Sequence, residues 1–149
     1  MNPTPAGWPR ISSGLYYRDA APMIDWLCRA FGFEVRIRVE GEGGRIEHSE
    51  LTLGDGVIMV AQERVGAEQR FGTPLLSPLT AGGNTQNLMI YVDDVDAHCM
   101  QARSAGARIV AEPAEHDYGD AYWVDRSYGA TDPEGHLWWI SQRLRTAPA

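Results

Sequence analysis

His48, Glu50 and Thr52 alternate through RIEHSELTL (45–53), which puts an imidazole, a carboxylate and a hydroxyl on one face of a strand. Two residues apart on a strand means roughly 7 Å, so His48 and Glu50 can reach one ligand. Such a pair binds a cationic group or passes a proton; the alternative is a hydrogen-bonded polar patch on an exposed sheet. The other histidines do not join them. His98 falls on a helix face read as surface, His116 in a loop and His136 at the head of the last strand. No GxSxG motif or reactive-cysteine context is present, and neither GEGG (41–44) nor AGG (81–83) leads from a strand into a helix, as a phosphate loop must.

Aromatic residues are the second group with binding chemistry. HLWWISQ (136–142) reads as a strand, so Trp138 and Trp139 point to opposite faces: one can anchor a core while the other meets a ligand. A register slip of one residue exchanges them. DYGDAYWVDRSYG (117–129) adds Tyr118, Tyr122, Trp123 and Tyr128. Aromatics with polar tips suit a flat or amphipathic organic ligand. Loop packing or a dimer interface accounts equally well for Tyr118 and Trp123.

The elements that must hold these residues repeat. ISSGLYY (11–17) reads as a strand and DAAPMIDWLCRAFG (19–32) as a helix, with Asp19 as N-cap and Gly32 as stop. FEVRIRVE (33–40) reads as a half-buried strand, its inner face Val35, Ile37 and Val39. Strands 45–53 and 57–62 follow, joined at GDG (54–56). Residues 64–83, rich in Gly and Pro, read as a linker or mobile flap. The pattern then restarts: strand 86–92, helix 93–106, short strand 107–113, and a hairpin of 126–131 and 136–142 around DPEG (132–135). Asp19 and Asp94 lie 75 residues apart, Gly32 and Gly106 74, and Thr52 and Thr131 79. These matches fall at equivalent elements, as in a duplicated βαβββ module.

Bulk properties exclude several classes. A chain of 149 residues suits one domain. The formal charge of −7 argues against nucleic acid, whose phosphates need Lys and Arg. No apolar run approaches a membrane span and no signal peptide is visible, so the expected location is the cytoplasm. Cys28 and Cys99 lack metal-site spacing and read as free thiols.

With YYRDAAPMIDWLCRAFGFEV (16–35), GRIEHSELTLGDGVIMV (44–60), YVDDVDAHCMQARSAGARIVAEP (91–113) and RSYGATDPEGHLWWIS (126–141), the chain resembles the vicinal-oxygen-chelate superfamily. This is the glyoxalase, bleomycin-resistance and dioxygenase group, and the chain is most similar to its PhnB-like branch. The resemblance implies an α+β fold over 1–149, with module one at 11–62, a linker at 63–85 and module two at 86–143. Two βαβββ modules would form a curved mixed sheet, commonly in a homodimer, with ligands on its concave side. Enzymes of the group hold a divalent metal there with two histidines and two carboxylates. Those positions fall near Ser12, on Glu50, near Asn87 and on Trp139, so only Glu50 keeps a strong donor.

Tyr16 and Tyr91 share strand parity with Ser12 and Asn87. The expected ligand-binding set is therefore Tyr16, His48, Glu50, Asn87, Met89, Tyr91, Tyr128 and Trp139, with no metal or other cofactor. The implied function is binding and sequestering an aromatic or cationic organic compound, with Glu50 pairing the cation. A glyoxalase-like lyase or isomerase using Glu50 and a non-standard metal or acid–base site, and a structural or regulatory dimer whose pocket is filled by Trp139 and Met89, are the alternatives.

Overall fold

DAAPMIDWLCRAFG folds as its spacing requires: α1 spans Ala20–Phe31 in the computed structural model, which describes residues 1–148. Met23, Ile24, Trp26, Leu27, Ala30 and Phe31 form one buried face, with the Trp26 and Phe31 rings edge to face at 5.0 Å. Gly32 ends the helix in the left-handed conformation (φ 82°), and its N–H closes on the Cys28 carbonyl. Asp19 holds the N-cap position but makes no capping bond with its side chain. Gln62 Oε1 accepts from Ala20 N instead, at 3.2 Å.

The chain divides into two compact units, residues 1–82 and the residues from Gly83 on. In the first, β1 (Ser13–Tyr17), β2 (Glu34–Glu40), β3 (Ile46–Leu53) and β4 (Gly56–Gln62) form one sheet in the order β1-β4-β3-β2, with only β1 and β4 parallel. Leu15, Tyr17, Ser49, Leu51, Ile58 and Val60 are buried on the face that takes α1. The opposite face carries Gly14, Tyr16, His48, Glu50, Thr52, Met59 and Ala61.

One sequence expectation fails in this unit. Val35, Ile37 and Val39 are exposed, not the inner face of a half-buried strand. β2 lies at the sheet edge, and register shifts after Val35 and Val39 break its alternation: Val35 pairs with Leu51 on the helix side, but Ile37 and Val39 pair with Glu50 and His48 on the other. The 64–83 segment carries some local structure. A bridge joins Arg64 to Leu75, and Ser77 caps the short helix α2 (Pro78–Ala81), its Oγ accepting from Leu79 N.

The second unit repeats the plan. β5 (Leu88–Tyr91), α3 (Val95–Ser104), β6 (Arg108–Asp117), β7 (Val124–Thr131) and β8 (Leu137–Arg145) give a sheet in the order β5-β8-β7-β6, with β5 parallel to β8. Here the N-cap aspartate does work: Asp94 Oδ1 accepts from Ala97 N at 3.0 Å. Gln142 Oε1 accepts from Val95 N at 3.1 Å, so a glutamine on the last strand of each unit reaches the start of that unit's helix. β6 runs on to Asp117, well past the short strand expected at 107–113. His116 therefore lies in a strand and not a loop. No helix among the described residues is long and apolar enough to cross a membrane.

Candidate functional site

On the first sheet, pairing with Ile37 on one side and Met59 on the other holds Glu50 on the face away from α1. The β2 bulge turns Arg36 toward it. Arg36 Nε donates to Glu50 Oε2 at 2.8 Å, with Nη2 2.7 Å from the same oxygen, and His48 Nε2 lies 3.2 Å from Oε1. Trp8 lies 4.7 Å over the Arg36 guanidinium, and the Gly7 carbonyl accepts from Nη1 at 2.5 Å. The N-terminal segment thus fixes the arginine that fixes the carboxylate.

Burial pushes the Glu50 carboxyl up, but hydrogen bonds from His48 and Arg36 and the Arg36 charge outweigh it, leaving the pKa below the ordinary carboxylate value. Glu47 is lowered too, chiefly by its hydrogen bond from Arg64. A carboxylate whose pKa is lower folded than unfolded contributes stability that is complete above the unfolded value, about 4.3 for Glu. That stability is lost as pH falls through the lower folded value. The melting temperature is expected to hold from neutral pH down to that range and drop below it. A melting temperature that rises on acidification through pH ~4 would contradict the pairing.

On the second sheet, Met89 pairs with Trp139, Tyr91 with Ser141, and Gly129 with Trp139. Met89, Tyr91 and the half-buried Trp139 share the face away from α3; Met89 and Tyr91 are exposed on it. A Cβ on Gly129 would come within 3.1–3.2 Å of the Trp139 ring and of Val110, so glycine lets the indole lie flat against β7. Trp138 is fully buried on the helix side, its Nε1 donating to Asp132 Oδ2 at 3.1 Å. Asp132 Oδ1 also accepts from Glu134 N and His136 N, so the first residue of DPEG both shapes the turn and satisfies the buried indole.

Tyr128 leaves the candidate set. It pairs opposite Ile140, is fully buried under α3, and its hydroxyl lies 2.7 Å from His98 Nδ1. Neither residue belongs where the sequence put it, since His98 is not simply a surface residue. Asn87 is exposed, just before β5.

Sequence reasoning missed a second arginine cluster. Arg143 lies 5.2 Å over the Tyr91 ring and 5.0 Å over Trp123; its Nε donates to the buried Asp125 at 2.5 Å, and Nη2 donates to Tyr91 Oη at 2.6 Å. The Tyr91 hydroxyl in turn donates to Asp125 Oδ2 at 3.0 Å. Reading the last strand as ending at Gln142 left Arg143 out; extending its alternation by one residue finds it. Arg36 had a signal as well, an opposite charge on the strand neighbouring Glu50, but the bulge that brings the two together was not visible.

The metal positions implied by the resemblance do not fit a divalent cation. Arg36 places a permanent positive charge against the one carboxylate. Asn87 and Trp139 supply an amide and an indole without a lone pair to give. The Ser12 Oγ, buried and without a hydrogen-bond partner among the described residues, is a neutral and weak donor. Among the described residues no three of His, Cys, Asp and Glu converge as a metal cluster.

Residues 10–140 match the family described as the Glyoxalase/Bleomycin resistance protein/Dioxygenase superfamily. An uncharacterised protein of Mycobacterium bovis is 31% identical over 137 residues, covering 92% of this chain and 85% of that protein. Among solved structures, TioX from Micromonospora sp. ML1 is 31% identical with a TM-score of 0.67, covering 91% of this chain and 99% of its own. TnmS3, an antibiotic binding protein from Streptomyces sp. CB03234, has a TM-score of 0.61 at 19% identity, covering 89% of this chain and 93% of its own. At that identity the second likeness is one of fold.

Proposed function

This chain belongs to the Glyoxalase/Bleomycin resistance protein/Dioxygenase superfamily, and from that membership we propose that it binds and sequesters a flat aromatic organic compound without a metal. One observation carries the reading: Met89, Trp139 and the Tyr91 ring, against which Arg143 packs, share the open face of the second sheet, where Gly129 keeps room for the indole. A thioether beside aromatic rings offers a soft, adaptable surface for a planar molecule. A relative in fold, TnmS3, is an antibiotic binding protein, and sequestration of an antibiotic-like aromatic is the corresponding activity here.

The cationic ligand expected from Glu50 has less support than the aromatic one, because Arg36 and His48 already engage that carboxylate. Acid–base catalysis by Glu50 is disfavoured for the same reason: its pKa is lowered, whereas a general acid at neutral pH needs it raised. The test is a tryptophan-fluorescence titration with a panel of planar aromatics, using chelator-treated protein. Trp139→Ala is expected to weaken binding by about tenfold or more, and chelation to leave the wild-type affinity unchanged. Unchanged affinity in Trp139→Ala would remove the indole from the site. Affinity that vanishes with chelator and returns with zinc or nickel would restore a metal.

A further inference from the structure

Beneath the 64–75 segment, the first unit holds a cavity of about 150 Å³ between the sheet and the loop. Tyr16, His48 and Met59 line it from the sheet, and Arg64, Arg70 and Phe71 from the loop. Its charge runs against that of the chain, which is −7 overall. Arg64 is only 7% exposed, and its backbone is pinned by two hydrogen bonds to Leu75. Its Nη2 donates to Glu47 Oε2 at 3.0 Å, and Arg70 Nη2 lies 3.3 Å from the same oxygen. Arg45 approaches Glu47 too, at 3.3 Å, and its other carboxylate partner is Glu68, at 2.9 Å.

Three guanidiniums thus share two carboxylates, and among the described residues Glu47 is the only carboxylate paired with either cavity arginine. Nearby, the Glu50 charge is matched by Arg36 and adds no negative surplus. A buried guanidinium that shares its counter-ion favours an added anion, and its planar fork suits a carboxylate or phenolate. Besides Glu47 itself and His48, the wall is apolar and aromatic, and the volume is about that which holds one benzene ring.

We propose that this cavity of the first unit is itself a binding site for a small acidic aromatic: a ring bearing a carboxylate or phenolate, its charge met by Arg64 and Arg70 and its ring held among Tyr16, Met59 and Phe71. The inference goes beyond the aromatic row of the second sheet and is tested separately from it.

Three probes with one ring and different charges test it: benzoate, benzamide and benzamidine, titrated calorimetrically into the full chain at low salt. Benzoate should bind about tenfold more tightly than benzamidine, with benzamide between them. Arg70→Gln, at a side chain 58% exposed, should keep the fold and weaken benzoate about fivefold while leaving benzamide unchanged. Benzamidine binding as well as or better than benzoate, or benzoate affinity indifferent to Arg70→Gln, overturns the proposal. Equal binding of all three overturns the charge preference but leaves aromatic binding standing. If none binds in the millimolar range, the cavity is not a ligand site, and the Trp139 titration decides separately whether the broader reading falls.

Discussion

Trp138→Ala should lower the unfolding free energy by about 3–5 kcal/mol, among the largest effects of any single truncation in the chain. The indole is fully buried on the face of the second sheet that takes α3, in an interior where packing leaves little slack to fill a vacated volume. Its loss also strips the buried Asp132 Oδ2 of the Nε1 donor. Trp138→Phe separates the two contributions: most of the volume stays, the hydrogen bond goes, and the loss should shrink to about 1–3 kcal/mol. At roughly 2–4 °C per kcal/mol, calorimetry resolves both variants from wild type. Trp139→Ala, on the open face, should cost clearly less. If the two tryptophan truncations destabilise equally, the division of labour between the faces is wrong.

Alternation alone requires the two tryptophans to part, because adjacent residues in a strand cannot share a face, but that Trp139 takes the open face follows only from the resemblance, which places the last metal position there. The helices were legible for a similar reason: α1 and α3 each carry an apolar stripe closed by a glycine, and their equivalence exposed the duplication. What failed was whatever depends on a partner strand. A bulge at Val35–Ile37 sends one valine to the helix side and leaves Arg36 facing Glu50, and no periodicity in FEVRIRVE records it. Tyr128 was assigned to the pocket from its aromatic neighbours. Its pairing with Ile140, which sends it under α3, depends on the register of a hairpin whose strands run longer than the sequence suggested. The role of Glu50 misled for the same reason: its position on the open face follows from alternation, but its engagement by Arg36 and His48 does not.

Arg36 and Glu50 should show a large asymmetry between single and double replacement. Arg36→Met leaves a nearly buried carboxylate with only His48 beside it. Breaking a buried pair in this way costs about 3–5 kcal/mol, and the 27% exposure of the Arg36 side chain brings the expectation to about 2–4 kcal/mol. Arg36→Met with Glu50→Met removes both charges and substitutes apolar volume, so the double variant should unfold within about 1 kcal/mol of wild type. Urea denaturation measures all three proteins on one scale. The pH dependence supplies the sign. The pair's stabilisation exists only while Glu50 is ionised, so the gap between Arg36→Met and wild type should be full at neutral pH and close as pH falls through the lowered folded pKa of Glu50. A gap that persists at acid pH would mean that Arg36 stabilises through its stacking under Trp8 and its bond to Gly7, with the carboxylate incidental. A double variant as unstable as the single one would point the same way. Either result would leave Glu50 free to be reconsidered as a ligand group, because the argument against its binding a cation rests on Arg36 being its true partner.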